Sequence, residues 1–183
     1  MMRFIKANQS DFIAISQFYL TVIEKTKYMD KYGQWKKDVY PTDTIIQSYL
    51  THQQMYLLIE DKVIIAAMAI TMYQDDSYHH ILWNVEAKDD EVAVIHLLGM
   101  HPYYQNKGIG ARFLEKAIQL AKFQQKKVIR LDALESNMPA RHLYEKMGFE
   151  YRGKQFLYAP NTGETYFYFY EKIIYRSHLF KNY

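Results

Sequence analysis

The stretch His96-Leu97-Leu98-Gly99-Met100-His101-Pro102-Tyr103-Tyr104-Gln105-Asn106-Lys107-Gly108-Ile109-Gly110 decides how the rest of the chain is read. It begins inside an apolar run, Val92 to Met100, that suits a buried strand. It ends in the segment Ile109 to Lys122, where Gly110, Phe113, Leu114, Ala117, Ile118 and Ala121 share one helical face. A strand therefore runs into a loop, and the loop into a helix whose first turn is glycine-rich. Such a helix start presents free backbone N–H groups and a positive dipole end, which suit a phosphate or pyrophosphate. Gly108 and Gly110 let the backbone approach an anion closely. A plain tight turn would use the same glycines. The phosphate loop with Gly, four residues, Gly-Lys-Ser/Thr is absent, and the dinucleotide fingerprint fails because Phe113 occupies the place of its third glycine.

Outward from this stretch the chain alternates strand and helix signals. Arg3 to Ala7 reads as a short strand and Phe12, Ile15, Tyr19, Val22 and Ile23 as a helix face. Tyr28 to Tyr40, aromatic and basic around Gly33, reads as a loop. Pro41, Thr42 and Asp43 open a second helix. Met55–Glu60 and Val63–Tyr73 read as strands joined by a tight Asp61-Lys62 turn. His79 to Val85 is expected as a further strand and Val128 to Ala133 as a short one. Asn137 caps a helix with Pro139 in its first turn, and Gly148 ends it. Phe149–Tyr158 and Thr165–Ile173 are expected as an antiparallel pair.

Composition narrows the class. The chain has 183 residues, 49% hydrophobic, with only 7 Gly and 4 Pro, so it supports one well-buried core and is not disordered. We read it as a single domain, 1–183. The absence of Cys removes disulfides, thiolate zinc sites and a cysteine nucleophile. The histidines show no ligand spacing: His79 and His80 would face opposite ways on a strand, and His52, His101, His142 and His178 stand apart, so no metal is expected. The longest uncharged apolar run, Val63 to Gln74, is too short to span a membrane, and the residues from Met1 to Lys6 lack the apolar stretch of a signal peptide. No membrane association is expected, and the cytoplasm is the expected compartment. A net charge of +3 with interspersed signs argues against nucleic acid.

A second motif follows the first: Asn137-Met138-Pro139-Ala140-Arg141-His142-Leu143-Tyr144-Glu145-Lys146-Met147-Gly148-Phe149. With it the chain resembles the GNAT superfamily of acyl-CoA N-acyltransferases. Gln105, Gly108 and Gly110 match the superfamily's Q/R-x-x-G-x-G/A motif. Asn137, Ala140, Tyr144, Gly148 and Phe149 match its second. The resemblance covers residues 91–172 closely. Residues 1–90 follow it in the order of elements, including Trp35 to Pro41. Asn106 departs from a frequent Gly, and Ala66-Ala67 stand where the third strand often has Gly.

The resemblance implies an α/β (α+β) fold: a mixed, mainly antiparallel sheet of about seven strands, helices on both faces, and fourth and fifth strands that splay apart. It implies acetyl-CoA as co-substrate. The pyrophosphate would bind the turn Gln105, Asn106, Lys107, Gly108, Ile109, Gly110 and Ala111, and the pantetheine arm the backbone at Leu98, Gly99 and Met100, with Asn137 and Tyr144 also in contact. An amide near Met100 would face the thioester oxygen. Tyr144 would protonate the departing thiolate. For the proton lost by the amine, His96 is the first candidate, because on a regular strand it shares a side with Leu98. Glu91 and a chain of waters are the others. Lys107 and Arg112 flank the turn. The acceptor, a primary amine of a small molecule or peptide, would meet Tyr28, Tyr32, Trp35, Tyr40, Tyr158, Tyr166, Phe167, Tyr168 and Tyr170, aromatics that a plain core would equally use, and without a Cys it would attack directly in a ternary complex. Many members are homodimers. The alternative is a non-catalytic acyl-CoA sensor or interaction module on the same fold.

Overall fold

A computed structural model describes residues 1–174. His178 lies outside the described residues. The chain forms a seven-stranded sheet in the order β1-β2-β3-β4-β5-β7-β6. The strands are β1 (Arg3–Lys6), β2 (Met55–Glu60), β3 (Val63–Thr71), β4 (Val92–Met100), β5 (Val128–Leu134), β6 (Glu150–Ala159) and β7 (Gly163–Ile173). The helices are α1 (Phe12–Lys25), α2 (Asp43–Thr51), α3 (Ile109–Phe123) and α4 (Met138–Lys146). Among the described residues only β4 and β5 pair in parallel, and α3 provides the crossover that a parallel pair requires.

Local sequence explains most boundaries. Asp61 and Lys62, at φ 48° and 68°, make the two-residue hairpin turn whose positive φ values match the twist of the flanking strands. The Thr42 side chain accepts from the Ile45 amide and starts α2, and the Asn137 side chain accepts from Ala140 and starts α4.

The sheet carries helices on both faces. Phe113, Leu114, Ala117, Ile118 and Ala121 of α3 pack on Ala66, Met68, Ile70, Ala93 and Ile95. Burying each large apolar side chain there contributes about 1.5–3 kcal/mol. On the opposite face, Ile15, Phe18, Tyr19 and Val22 of α1 and Ile46 and Leu50 of α2 pack on Met55, Leu57, Ala67 and Ala69. Ala66 and Ala67 are both fully buried on opposite faces, where small side chains let the layers come close.

The segment from His79 to Val85 is not a strand. It follows a short 3-10 turn at Asp76–Tyr78 and folds over Val92, Val94, Val128 and Phe169. A buried side-chain network replaces the ladder. Glu171 accepts from the amides of Asn84 (3.0 Å) and Val85 (3.2 Å). Arg130 donates to Glu171 (3.0 and 2.8 Å), to the Val85 carbonyl (2.9 Å) and to Gln74. The Trp83 ring lies over the Arg130 guanidinium at 4.0 Å.

Two irregularities shape the site. The β4–β5 ladder ends at Ile95↔Leu131 although both strands continue, so they diverge beyond that pair. The β3–β4 register shifts between Ala67 and Ala69, and Leu97 has φ 52°. Leu97 is thus the extra residue of a β-bulge.

Candidate active site

A cavity of about 890 Å³ fills the gap where β4 and β5 part. At one end is the turn before α3. Gly108 has φ 73°, a left-handed value with no neighbour within 4 Å of an added Cβ, so its requirement for Gly is conformational. Asn106 adopts φ 59°, so the departure from Gly leaves the turn's shape intact. The amides of Asn106 through Ala111 have no backbone partner, and the Arg112 amide makes the first bond, to the Gly108 carbonyl at 3.4 Å. Gln105 ties the turn to its surroundings by donating to the Met100 carbonyl (3.2 Å) and to Thr26 (3.2 Å). Gln105, Asn106, Gly108, Gly110 and Ala111 line the cavity. Lys107 lies at the exposed surface with its ammonium 5.5 Å from the Tyr104 ring, and Ile109 is buried in the core.

Along the gap the cavity meets Leu98, Gly99 and Met100. The His101 amide donates across to Ile65 of β3 at 2.8 Å, so strand alternation turns the Met100 amide the other way, toward the gap. Gly99 faces α1. An added Cβ would stand 3.2 Å from the Tyr19 ring and 3.3 Å from the Phe18 ring, so the close approach it permits is by these aromatics.

Asn137 and Tyr144 of α4 also line the cavity. The Tyr144 ring is buried against Phe149 and Tyr170, with centroids 6.1 and 5.9 Å away. Its hydroxyl has no hydrogen-bond partner among the described residues and is not sealed in, since the sealed unpartnered side-chain atoms are Ser16 Oγ and Arg152 Nε. Burial pushes the phenol's pKa well up, and the charge of Asp132 adds to the effect.

His96 lines the cavity and also a smaller one, about 320 Å³, bordered by Tyr49, His52, Thr71, Tyr73 and Asp75. It stands in the wall between them. Its ring stacks on Tyr49 (5.9 Å) and meets the edge of Tyr78 (6.4 Å). Burial lowers its pKa, opposed by the charges of Asp132 and Asp75. The bulge corrects one expectation: His96 pairs with Ala69 and Gly99 with Ala67, on the α1–α2 face, whereas Leu98 packs on the α3 side. His96 and Leu98 therefore point to opposite faces and meet the same cavity because it passes through the gap.

Glu91 lies outside the cavity. It sits before the start of β4, bonded to Lys127 at 2.8 Å and to the Lys88 amide at 2.9 Å, and these bonds hold its carboxyl below the usual range. Of the expected aromatics, Tyr28, Tyr32, Trp35, Tyr40 and Phe167 line the cavity. Tyr170 is buried beneath α4, and Tyr158 and Tyr166 are exposed. Tyr168 instead donates to Glu135 at 2.8 Å.

Three charged cavity residues were not anticipated. Lys27 and Lys146 line the cavity, which Lys107 and Arg112 do not. Asp132 of β5 accepts from the Tyr78 hydroxyl at 2.6 Å. Burial raises its pKa, opposed by the Tyr78 bond and by His96. The available signal was the pair of charged residues, Arg130 and Asp132, inside the otherwise apolar run from Val128 to Leu134. Among the described residues, no group of three or more His, Asp or Glu could hold a metal ion, and no helix is long and apolar enough to cross a membrane.

Comparison with known proteins agrees with this architecture. Residues 17–149, more than half of the chain, match the sequence profile of the acetyltransferase (GNAT) family. The chain belongs to this family of acyltransferases. A relative from Methanocaldococcus jannaschii, named as an uncharacterised N-acetyltransferase, is 32% identical over 68 residues, which are 37% of this chain and 30% of that protein. The match thus spans less than a third of that relative's length. A GNAT-family acetyltransferase from Streptococcus agalactiae superimposes with a TM-score of 0.74 at 20% identity, covering 96% of both chains. A putative acetyltransferase from Salmonella typhimurium, solved with acetyl-CoA, gives 0.69 at 17%, covering 97% of this chain and 96% of the other. The ribosomal-protein-S18-alanine N-acetyltransferase of Escherichia coli gives 0.71 at 16%, covering both chains fully. At these identities the superpositions show a shared fold.

Proposed function

We propose that this chain is a single acyltransferase domain that moves the acetyl group of acetyl-CoA to a primary amine by direct attack in a ternary complex, and that it works in the cytoplasm, where acetyl-CoA is available. The observation that carries this reading is the continuity of one cavity. It runs from unpartnered amides at a helix N-terminus, past the Met100 amide, to Tyr144, His96 and Asp132.

The free amides from Asn106 to Ala111, with Lys27 and Lys146 in the lining of the same cavity, suit a pyrophosphate. A pantetheine arm fits the gap between β4 and β5, where the Met100 amide is aimed at the place of a thioester oxygen and would stabilise its developing charge. Tyr144 is suited to the leaving thiolate. Its raised pKa keeps it a neutral phenol, able to donate. The same burial penalises the thiolate, so the phenol's raised pKa is met by a more basic acceptor.

The amine arrives as an ammonium ion and must shed a proton. His96, with its pKa lowered by burial, is neutral at pH 7 and free to accept. The smaller cavity on its other side gives that proton a way out past Asp75. The test is calorimetric titration with acetyl-CoA followed by CoA release over an amine panel. Saturable binding with amine-dependent release is expected. Binding without release for any amine would favour a sensor, and absence of binding would remove the reading.

A further inference from the structure

Asp132 is the cavity group that the transfer chemistry above leaves without a task. It follows Leu131, the last residue of β5 still paired with β4, and so sits where the gap opens. One carboxylate oxygen accepts from Tyr78. The other has no hydrogen-bond partner among the described residues, yet it is not among the sealed unpartnered atoms, so it is open to the cavity. A buried carboxylate held by one neutral hydroxyl is poorly compensated, because taking a charge out of water costs several kcal/mol unless a counter-charge is supplied.

The cavity supplies no fixed cation nearby: His96 lies close enough to act on Asp132, but burial favours its neutral form. Its cations, Lys27 and Lys146, belong to the other end. Lys27 adjoins Thr26, which is bonded to Gln105. Lys146 lies one turn beyond Leu143, the residue that a side chain on Gly110 would meet at 3.2 Å. Among the described residues Asp132 is the only Asp or Glu lining the cavity. Its charge is felt at Tyr144 and His96, and at Tyr40, Tyr49 and Tyr78. The cavity is thus electrically polarised, with cations and free amides at the turn and an anion beside the candidate transfer centre. Trp35, Tyr40 and Phe167 add aromatic faces to the wall, and such faces attract cations.

We infer that Asp132 anchors the ammonium group of the acceptor, and that the acceptor is a primary amine with an apolar body and no carboxylate on the adjacent carbon. This rests on the acetyl-transfer reading, and it adds a binding residue and a substrate class. A free α-amino acid would bring a second anion against Asp132 with no cation beside it. An amine that differs only by loss of that carboxylate would form an ion pair in a partly dry site.

The test uses two ligands that differ by this one group, 2-phenylethylamine and L-phenylalanine, titrated calorimetrically into the full chain saturated with CoA. The wild type should bind the amine about thirtyfold or more tightly than the amino acid. Asp132→Asn should lose about thirtyfold in affinity for 2-phenylethylamine while acetyl-CoA affinity stays within about threefold. Equal binding of the two ligands by the wild type, no binding of 2-phenylethylamine, or no loss in the variant would overturn the assignment. The wild-type comparison needs no variant, so a folding defect in Asp132→Asn does not obscure it. If the wild type fails to bind acetyl-CoA, both readings fall. If acetyl-CoA binds and is turned over but the amine affinities ignore Asp132, only this one falls.

Discussion

Replacing Tyr144 by Phe separates a chemical from a structural role for this side chain. The ring packs on Phe149 and Tyr170, and Phe keeps both contacts. The hydroxyl has no partner among the described residues, so its loss breaks no hydrogen bond. Removing a polar group from a mostly apolar wall should leave stability unchanged or raise it by up to about 1 kcal/mol. The chemical cost is of another size. A positioned proton donor contributes roughly 10²–10⁴ in rate. Its loss should therefore lower kcat by at least about a hundredfold, or about 2.7 kcal/mol in the barrier. Acetyl-CoA affinity should stay within about threefold, since the turn, and not the phenol, holds the charged end of the ligand. Steady-state CoA release, calorimetry and thermal denaturation measure the three quantities. A kcat within about threefold of wild type would refute the role. A fall of several degrees in Tm would show that the hydroxyl has a structural partner.

Two further outcomes follow from the buried groups. Neutral His96 is the form that accepts a proton, and burial places its pKa below the ordinary value of about 6.5. Hence kcat/KM should be level near neutrality and fall as pH drops through that lowered pKa. His96→Gln should remove this acid limb and reduce kcat, whereas the same limb in the variant would take the role away from His96. For the Arg130–Glu171 pair, both partners are buried, so Arg130→Met strands a carboxylate and should cost about 3–5 kcal/mol in denaturant unfolding. Combining it with Glu171→Met should recover part of that loss, and a double variant worse than the sum of the two single changes would contradict the account.

Where neighbours in sequence decide a conformation, the sequence was legible. Asp61-Lys62 announced its hairpin, the capping residues Thr42 and Asn137 their helices, and the spacing of α3 its buried face. The linked motifs around Gln105–Gly110 and Asn137–Phe149 located the cavity at both ends. What escaped was fixed by distant partners. His79 to Val85 has strand-like composition, but its amides are taken by Glu171, which lies 87 and 86 residues away from Asn84 and Val85. Gly99 inside β4 signals a bulge or a close approach, but the left-handed residue is Leu97, whose carbonyl is held by the Tyr19 hydroxyl at 2.7 Å across 78 residues. That bulge turned His96 away from the side of Leu98. Asp132 was overlooked because a charge in a strand commonly faces solvent, and only the Tyr78 loop and the departure of β4 enclose it.

The central claim is transfer of an acetyl group, and mass spectrometry of the products tests it most directly. Purified protein, acetyl-CoA and a panel of primary amines should give an N-acetylated amine in equal amount to the CoA released. Saturable acetyl-CoA binding with no acetylated product from any amine would contradict it, as would CoA release matched only by free acetate.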